Sequence, residues 1–246
     1  MAKIDKKIYV IACGVLKLDL QQAAQKLGIN ADFKFLESSL HDTPEKLKSE
    51  LQQAIDSVCP GQYARIAVGY GICGQGTDGI RAGKLPLVIP QIHDCISLFL
   101  GSAAKYKEQF EKHPGTYYFT AGWLEKGTGP DNMQKWLLQT CPGHSEKEIQ
   151  ELMDEFFSGW QKNYTRAVFI ETGADNDDDC RKLAKNTAEK YGWKYEEMAG
   201  STKFFEKLLI AEKTDDEILL VPVGFKIVFN AVSGKLEAVK ELNIEE

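Results

Sequence analysis

Three cysteines carry most of the chemistry this chain can offer, and each follows a short apolar run: Cys13 in IYVIACG, Cys73 in ARIAVGYGICG and Cys95 in LPLVIPQIHDC. Thiolates are soft ligands, and a trio of them with an imidazole nearby suits zinc or an iron-sulfur cluster. His93 is the nearby imidazole, either as a fourth ligand or as an acid and base. Asp94 beside it would orient the ring. The same thiols without metal would serve a cysteine enzyme acting on a small metabolite, with His93 and Asp94 as its catalytic pair. No C-x-x-C pair occurs, and Cys59, Cys141 and Cys180 stand in contexts with less to recommend them.

Glycines surround the central cysteine. In GYGICGQGTDG, Gly71, Gly74 and Gly76 follow a strand directly, so backbone amides can approach an anion or cofactor closely, as can the amide of Gly14. The competing reading of each glycine is a tight turn. No Walker lysine and no G-x-G-x-x-G spacing is present, which argues against a nucleotide site. Thr120 and Trp123 in YYFTAGW would wall the same cleft, with Thr172 and Gly173 as the matching rim farther along. The acidic run at 175–179 fits a cation or, better, a helix opening.

Such residues need a frame that gathers them. Short β-rich runs alternate with segments of helical period, which predicts an α/β fold with parallel sheets. Strands are expected at 8–12, 33–37, 65–70, 87–89 and 117–120, with a helix from Asp94 to Phe110. A βαβαβ order then recurs with strands at 167–171, 194–198 and 218–223, so that Gly14 matches Gly173 and Gly71 matches Gly224. The expectation is two similar βαβαβ halves about an interdomain cleft: an N-terminal α/β domain at 1–125, a helical linker at 126–164 and a C-terminal α/β domain at 165–246. Ser145 and Glu148 form a capping-box pair that opens a helix with Leu152, Phe156 and Trp160 on one face. FKIVFNAVSGKLEAVKEL is expected to form a hairpin turning at Ser233 and Gly234.

All three cysteines then fall at carboxyl ends of strands, where open parallel sheets bind ligands. With a 2-1-3-4-5 strand order the first, third and fourth strands are neighbours and their loops converge on one site; a 3-2-1-4 order would keep them apart.

Composition narrows the class. The chain has 246 residues, 43% of them hydrophobic and 27% charged, with a net charge of −6. That excludes a disordered chain and a broad nucleic-acid surface, and no apolar stretch is long enough to span a membrane. The N-terminal run is too short for a secretory signal, which predicts a cytoplasmic protein with reduced thiols.

Together, ACGVL, YGICGQG, HDCISLFLGS and PGTYYFTAGW resemble a family of unknown function found in methanogens and other anaerobes. Members often stand beside corrinoid-dependent methylamine methyltransferases. The resemblance implies an accessory role in anaerobic one-carbon metabolism, with a corrinoid as a further cofactor and a corrinoid protein or methyltransferase as partner. It marks Cys13, Gly14, Cys73, Gly74, His93, Asp94, Cys95, Gly101, Thr120 and Trp123. A corrinoid chaperone is a third reading, although the cobalt-binding D-x-H-x-x-G pattern is absent.

Overall fold

A computed structural model describes residues 7–125, 143, 145–161, 163–173 and 178–241. In chain order the elements are β1 (Lys7–Cys13), α1 (Lys17–Leu27), β2 (Ala31–Leu36), α2 (Pro44–Asp56), β3 (Tyr63–Gly69), β4 (Leu87–Pro90), α3 (Ile96–Leu100), α4 (Ala103–Lys112), β5 (Thr116–Phe119) and α5 (Ala121–Glu125). They continue with α6 (Glu146–Gln161), β6 (Arg166–Glu171), α7 (Asp178–Tyr191), β7 (Lys194–Ala199), α8 (Lys203–Ile210), β8 (Ile218–Val221), β9 (Phe225–Asn230) and β10 (Lys235–Lys240). The protein is α/β, as its alternating pattern requires.

The main sheet has the order β2-β1-β3-β4-β8, parallel except for β8, which runs antiparallel to β4. Its inner strands β1, β3 and β4 are nearly continuous buried runs rich in Ile, Val and Leu, such as Ile8, Val10, Ile11, Ile66, Val68 and Leu87, because helices cover it. The 2-1-3-4 order makes β1, β3 and β4 adjacent. The second sheet, β5-β6-β7, is parallel and packs Phe119, Ala167 and Phe169 against Cys180, Ala184 and Ala188 of α7.

Two successive βαβαβ halves are not what forms. Tyr117, Tyr118 and Phe119 of β5 pair with Ala167, Val168 and Phe169 of β6, so the fifth strand joins the later sheet. Leu87 to Pro90 pair instead with Val221 to Ile218 of β8, which fills the edge position that β5 was expected to take. Each sheet thus takes a strand from the other's stretch of sequence. The match of Gly71 to Gly224 fails with it, since Gly224 links an antiparallel edge strand to the β9-β10 hairpin. Hydrophobic period identifies a strand but carries no information about a partner so distant in sequence.

Local signals fared variously. Ser145 and Glu148 make the reciprocal capping bonds at the start of α6, with the Ser145 amide on Glu148 Oε2 at 2.7 Å and the Glu148 amide on Ser145 Oγ at 3.3 Å. Leu152, on the apolar face expected for that helix, is 48% exposed; the side chains of Phe156 and Trp160 lie outside those described. The helix expected from Asp94 to Phe110 is broken. Gly101 adopts the left-handed conformation (φ +73°), and Ser102 starts α4 by accepting the Lys105 amide at 3.3 Å. The C-terminal hairpin forms through a four-residue turn at 231–234 with Lys235 opposite Asn230, not a two-residue one. Positions 175–177 of the acidic run, and Cys141 and His144, lie outside the described residues; Asp178 begins α7. No helix among the described residues is long and apolar enough to cross a membrane.

The two sheets meet through their carboxyl ends. The Gly122 position in α5 lies against the turn after β1, where an added Cβ would stand 2.0 Å from the Val15 carbonyl oxygen. The Ser201 amide beyond β7 donates to the Phe99 carbonyl of α3 at 2.8 Å, and Gln22 Nε2 of α1 donates to the Gly173 carbonyl beyond β6 at 2.7 Å.

Candidate functional site

Cys13 closes β1 and opens a 3-10 turn over Gly14–Leu16. β1 and β3 approach closely at this end: Ala12 is in register with Gly69, and a Cβ on Gly69 would lie 2.5 Å from that of Ala12. The next residues along the two parallel strands are Cys13 and Tyr70, both buried, at 7% and 3% exposure. Side chains alternate faces along a strand, so this pair shares a face.

Cys73 sits in a loop sewn to the loop that carries Cys95. The Ile72 amide donates to Ile92 O at 2.9 Å and the Cys73 amide to His93 O at 3.0 Å. Gly71 makes this possible, because a Cβ there would come within 2.6 Å of the Ile92 oxygen. Buried Thr77 ties the loop back by donating to Gly71 O at 3.0 Å. Cys73 (φ +45°), Gly74 (φ +63°) and Gln75 (φ +72°) are successively left-handed. Two of them have a Cβ, a strain of about 1–2 kcal/mol each that the surrounding bonds must hold.

Cys95 caps the short α3, and Asp94 does much of the positioning. Asp94 Oδ1 accepts the Ile96 amide at 3.0 Å, and Oδ2 accepts the Tyr106 hydroxyl at 2.7 Å. His93 Nδ1 stands 3.5 Å from Asp94 Oδ2, and the imidazole is 78% exposed. That contact with Asp94 raises the His93 pKa.

The three thiols converge. Burial pushes every one of them above the ordinary thiol value, Cys73 from 9.0 to about 12, and they are close enough that charge on Cys13 opposes ionisation of both Cys73 and Cys95. Asp94 adds to the cost at Cys73 and Cys95. Around the Cys13 sulfur three groups pull the other way: the amides of Val15 and Gly14 and the Tyr70 hydroxyl. The Tyr70 hydroxyl lies against this sulfur without completing a hydrogen bond, and it has no other partner among the described residues. A buried hydroxyl left unmade costs about 1–3 kcal/mol, so its presence calls for an explanation.

The donor chemistry suits a soft cation, but the ligand set is not closed. Among the described residues no three His, Cys, Asp or Glu side chains stand ready to hold a metal ion. Cys73 and Cys95 are partly buried, and Cys13 is buried.

The glycines and the second rim are brought in as packing. Gly71 and Gly76 make close approaches, the latter to Leu47 of α2 (2.7 Å for an added Cβ); Gly74 supplies a left-handed turn; Gly14 is buried in the turn after Cys13. Thr120 is buried and caps α5 by accepting the Trp123 amide at 3.3 Å, while Trp123 packs partly buried against the main core. Gly173 is exposed and, like Thr172, belongs to the rim that meets α1, where its carbonyl takes the Gln22 bond. Sequence reasoning missed Tyr70 and Tyr106. The first had a signal, since it stands between the glycines of GYG, one residue past β3; the second, out on α4, had none.

A protein-family match covers residues 35–209, which run from the end of β2 into α8 and include Cys73, His93, Asp94 and Cys95. The chain belongs to the DUF1638 family. DUF1638 is described as a protein of unknown function, so membership supplies a kinship without a reaction. No curated protein and no solved structure matches the chain.

Proposed function

We propose that this DUF1638 protein binds a thiophilic metal centre, zinc or an iron-sulfur cluster, through Cys13, Cys73 and Cys95. The observation that carries the reading is the convergence of three sequence-distant thiols at the carboxyl ends of adjacent strands, each made reluctant to ionise by burial. A resting thiol with a raised pKa is a poor nucleophile at neutral pH, which counts against a metal-free cysteine enzyme. A metal displaces thiol protons and neutralises the charge that makes the crowding costly. His93 would reach the centre only by leaving Asp94, so we assign it to the approach, as proton carrier or fourth ligand. The motif resemblance supports a setting in anaerobic one-carbon metabolism, with a corrinoid or a methyltransferase as partner.

Metal analysis of the protein purified without oxygen, followed by zinc competition, tests the reading. One equivalent per chain is expected, with affinity falling at least about tenfold in Cys95→Ala. Because each thiol surrenders a proton, affinity should climb with pH, by up to about a thousandfold per unit if all three are displaced. Near-zero metal that neither reconstitution nor higher pH raises overturns the reading. Cobalamin binding by such metal-free protein would point to a corrinoid chaperone instead.

A further inference from the structure

The Tyr70 hydroxyl is an exception to the rule that buried polar groups are satisfied. It is not a loose end at the surface, since Tyr70 is 3% exposed and fixed by its place one residue beyond β3. The register that sets Ala12 against Gly69 brings it to Cys13 on the same face of the sheet. There the sulfur already faces the amides of Gly14 and Val15, a ring of donors that a neutral thiol has little use for and a thiolate would engage fully.

We infer that Tyr70 is a positioning residue of this site, its hydroxyl held in reserve to donate to the Cys13 sulfur once that sulfur becomes a thiolate ligand. The inference rests on the proposed metal site and names the group that tunes it. Donors to a ligating sulfur orient it and adjust the centre's affinity and potential. In the metal-free protein the hydroxyl is a liability; in the loaded protein it is a hydrogen bond to charge.

Tyr70→Phe therefore changes two properties in opposite directions. The full-length metal-free variant should melt about 2–4 °C higher, because an unmade buried polar group is gone. Its zinc affinity should fall about tenfold, and the sulfur-to-metal charge-transfer band of the cobalt-substituted protein should shift. A third measurement works without metal. With Cys59, Cys73, Cys95, Cys141 and Cys180 all replaced by alanine, the pH dependence of alkylation reports the Cys13 thiolate alone, and Tyr70→Phe should raise its midpoint. That result would support the donor role even if the wild type bound no metal, which would overturn the metal reading alone. An unchanged midpoint together with unchanged affinity overturns the inference, as does a lower melting temperature with both unmoved, the mark of a tyrosine that only packs.

Discussion

The two parallel sheets present carboxyl ends built on opposite plans. At the main sheet, Cys13 and Tyr70 are buried, Cys73 and Cys95 half-buried, and the loops are pressed together across Gly69 and Gly71. At the second sheet, Glu171 and Gly173 are exposed and an added Cβ on Gly173 would meet nothing within 4 Å. Its polar groups are charged and paired: Arg181 reaches Glu171 at 2.9 Å and Glu197 at 2.6 Å. A parallel sheet offers a binding edge at either place, but only crowding excludes water and makes ionisation expensive. The second rim is open and its charges are paired, whereas the first is crowded and bears the thiols.

The sharpest way to break this comparison is to part the rims where they touch most closely. Gly122→Ala would drive a methyl group to 2.0 Å from the Val15 carbonyl, which is backbone and cannot swing aside. A loss of about 3 kcal/mol or more in denaturant unfolding is expected, with faster alkylation of Cys13 two residues earlier in the chain. Gly173→Ala serves as the control. Its left-handed φ of +78° costs about 1–2 kcal/mol, but no atom is displaced. Equal losses in the two variants would mean the rims are not held together at Gly122.

What the sequence made legible divides along the same line. Cys13, Cys73 and Cys95 were placed correctly at strand ends because a strand's limits are written in its own residues, and the 2-1-3-4 order was one of two orders weighed. The capping pair Ser145 and Glu148 was equally local. Pairing was not. Leu87 to Pro90 are as apolar beside β8 as they would be beside β5, so nothing in either run announces the exchange. The break at Gly101 was partly readable, since glycine followed by serine is a stop and a cap in succession. The register that puts the Tyr70 hydroxyl at the Cys13 sulfur became visible only when β1 and β3 were adjacent.

A smaller effect follows from the thiols themselves. The folded state holds the Cys73 pKa at about 12 against an ordinary 9.0, so it binds that proton more tightly than the unfolded chain does. The contribution of this group to stability is fully present below pH 9 and is lost as pH rises towards 12. Cys73→Ala should therefore flatten the fall in melting temperature over that range while leaving the neutral pH region without the same slope. If wild type and variant decline in parallel above pH 9, the Cys73 thiol does not titrate as a buried group, and the contrast between the rims loses its electrostatic half.

The smallest expected effect comes from the other rim. Arg181 is 27% exposed and joins Glu171, on β6, to Glu197, on β7, with its guanidinium 5.1 Å from the centre of the Phe169 ring. Partly exposed pairs of this kind are worth about 1 kcal/mol or less each, and the arginine reaches down from α7 onto the sheet whose strand ends carry no thiol. Arg181→Ala should cost about 1–2 kcal/mol in denaturant unfolding and leave both zinc affinity and the alkylation rate of Cys73 where they were. A drop in zinc affinity comparable to that of Cys95→Ala would show that charge on the second rim reaches the site. The two edges would then act as one, and the division of labour drawn between them would have to be given up.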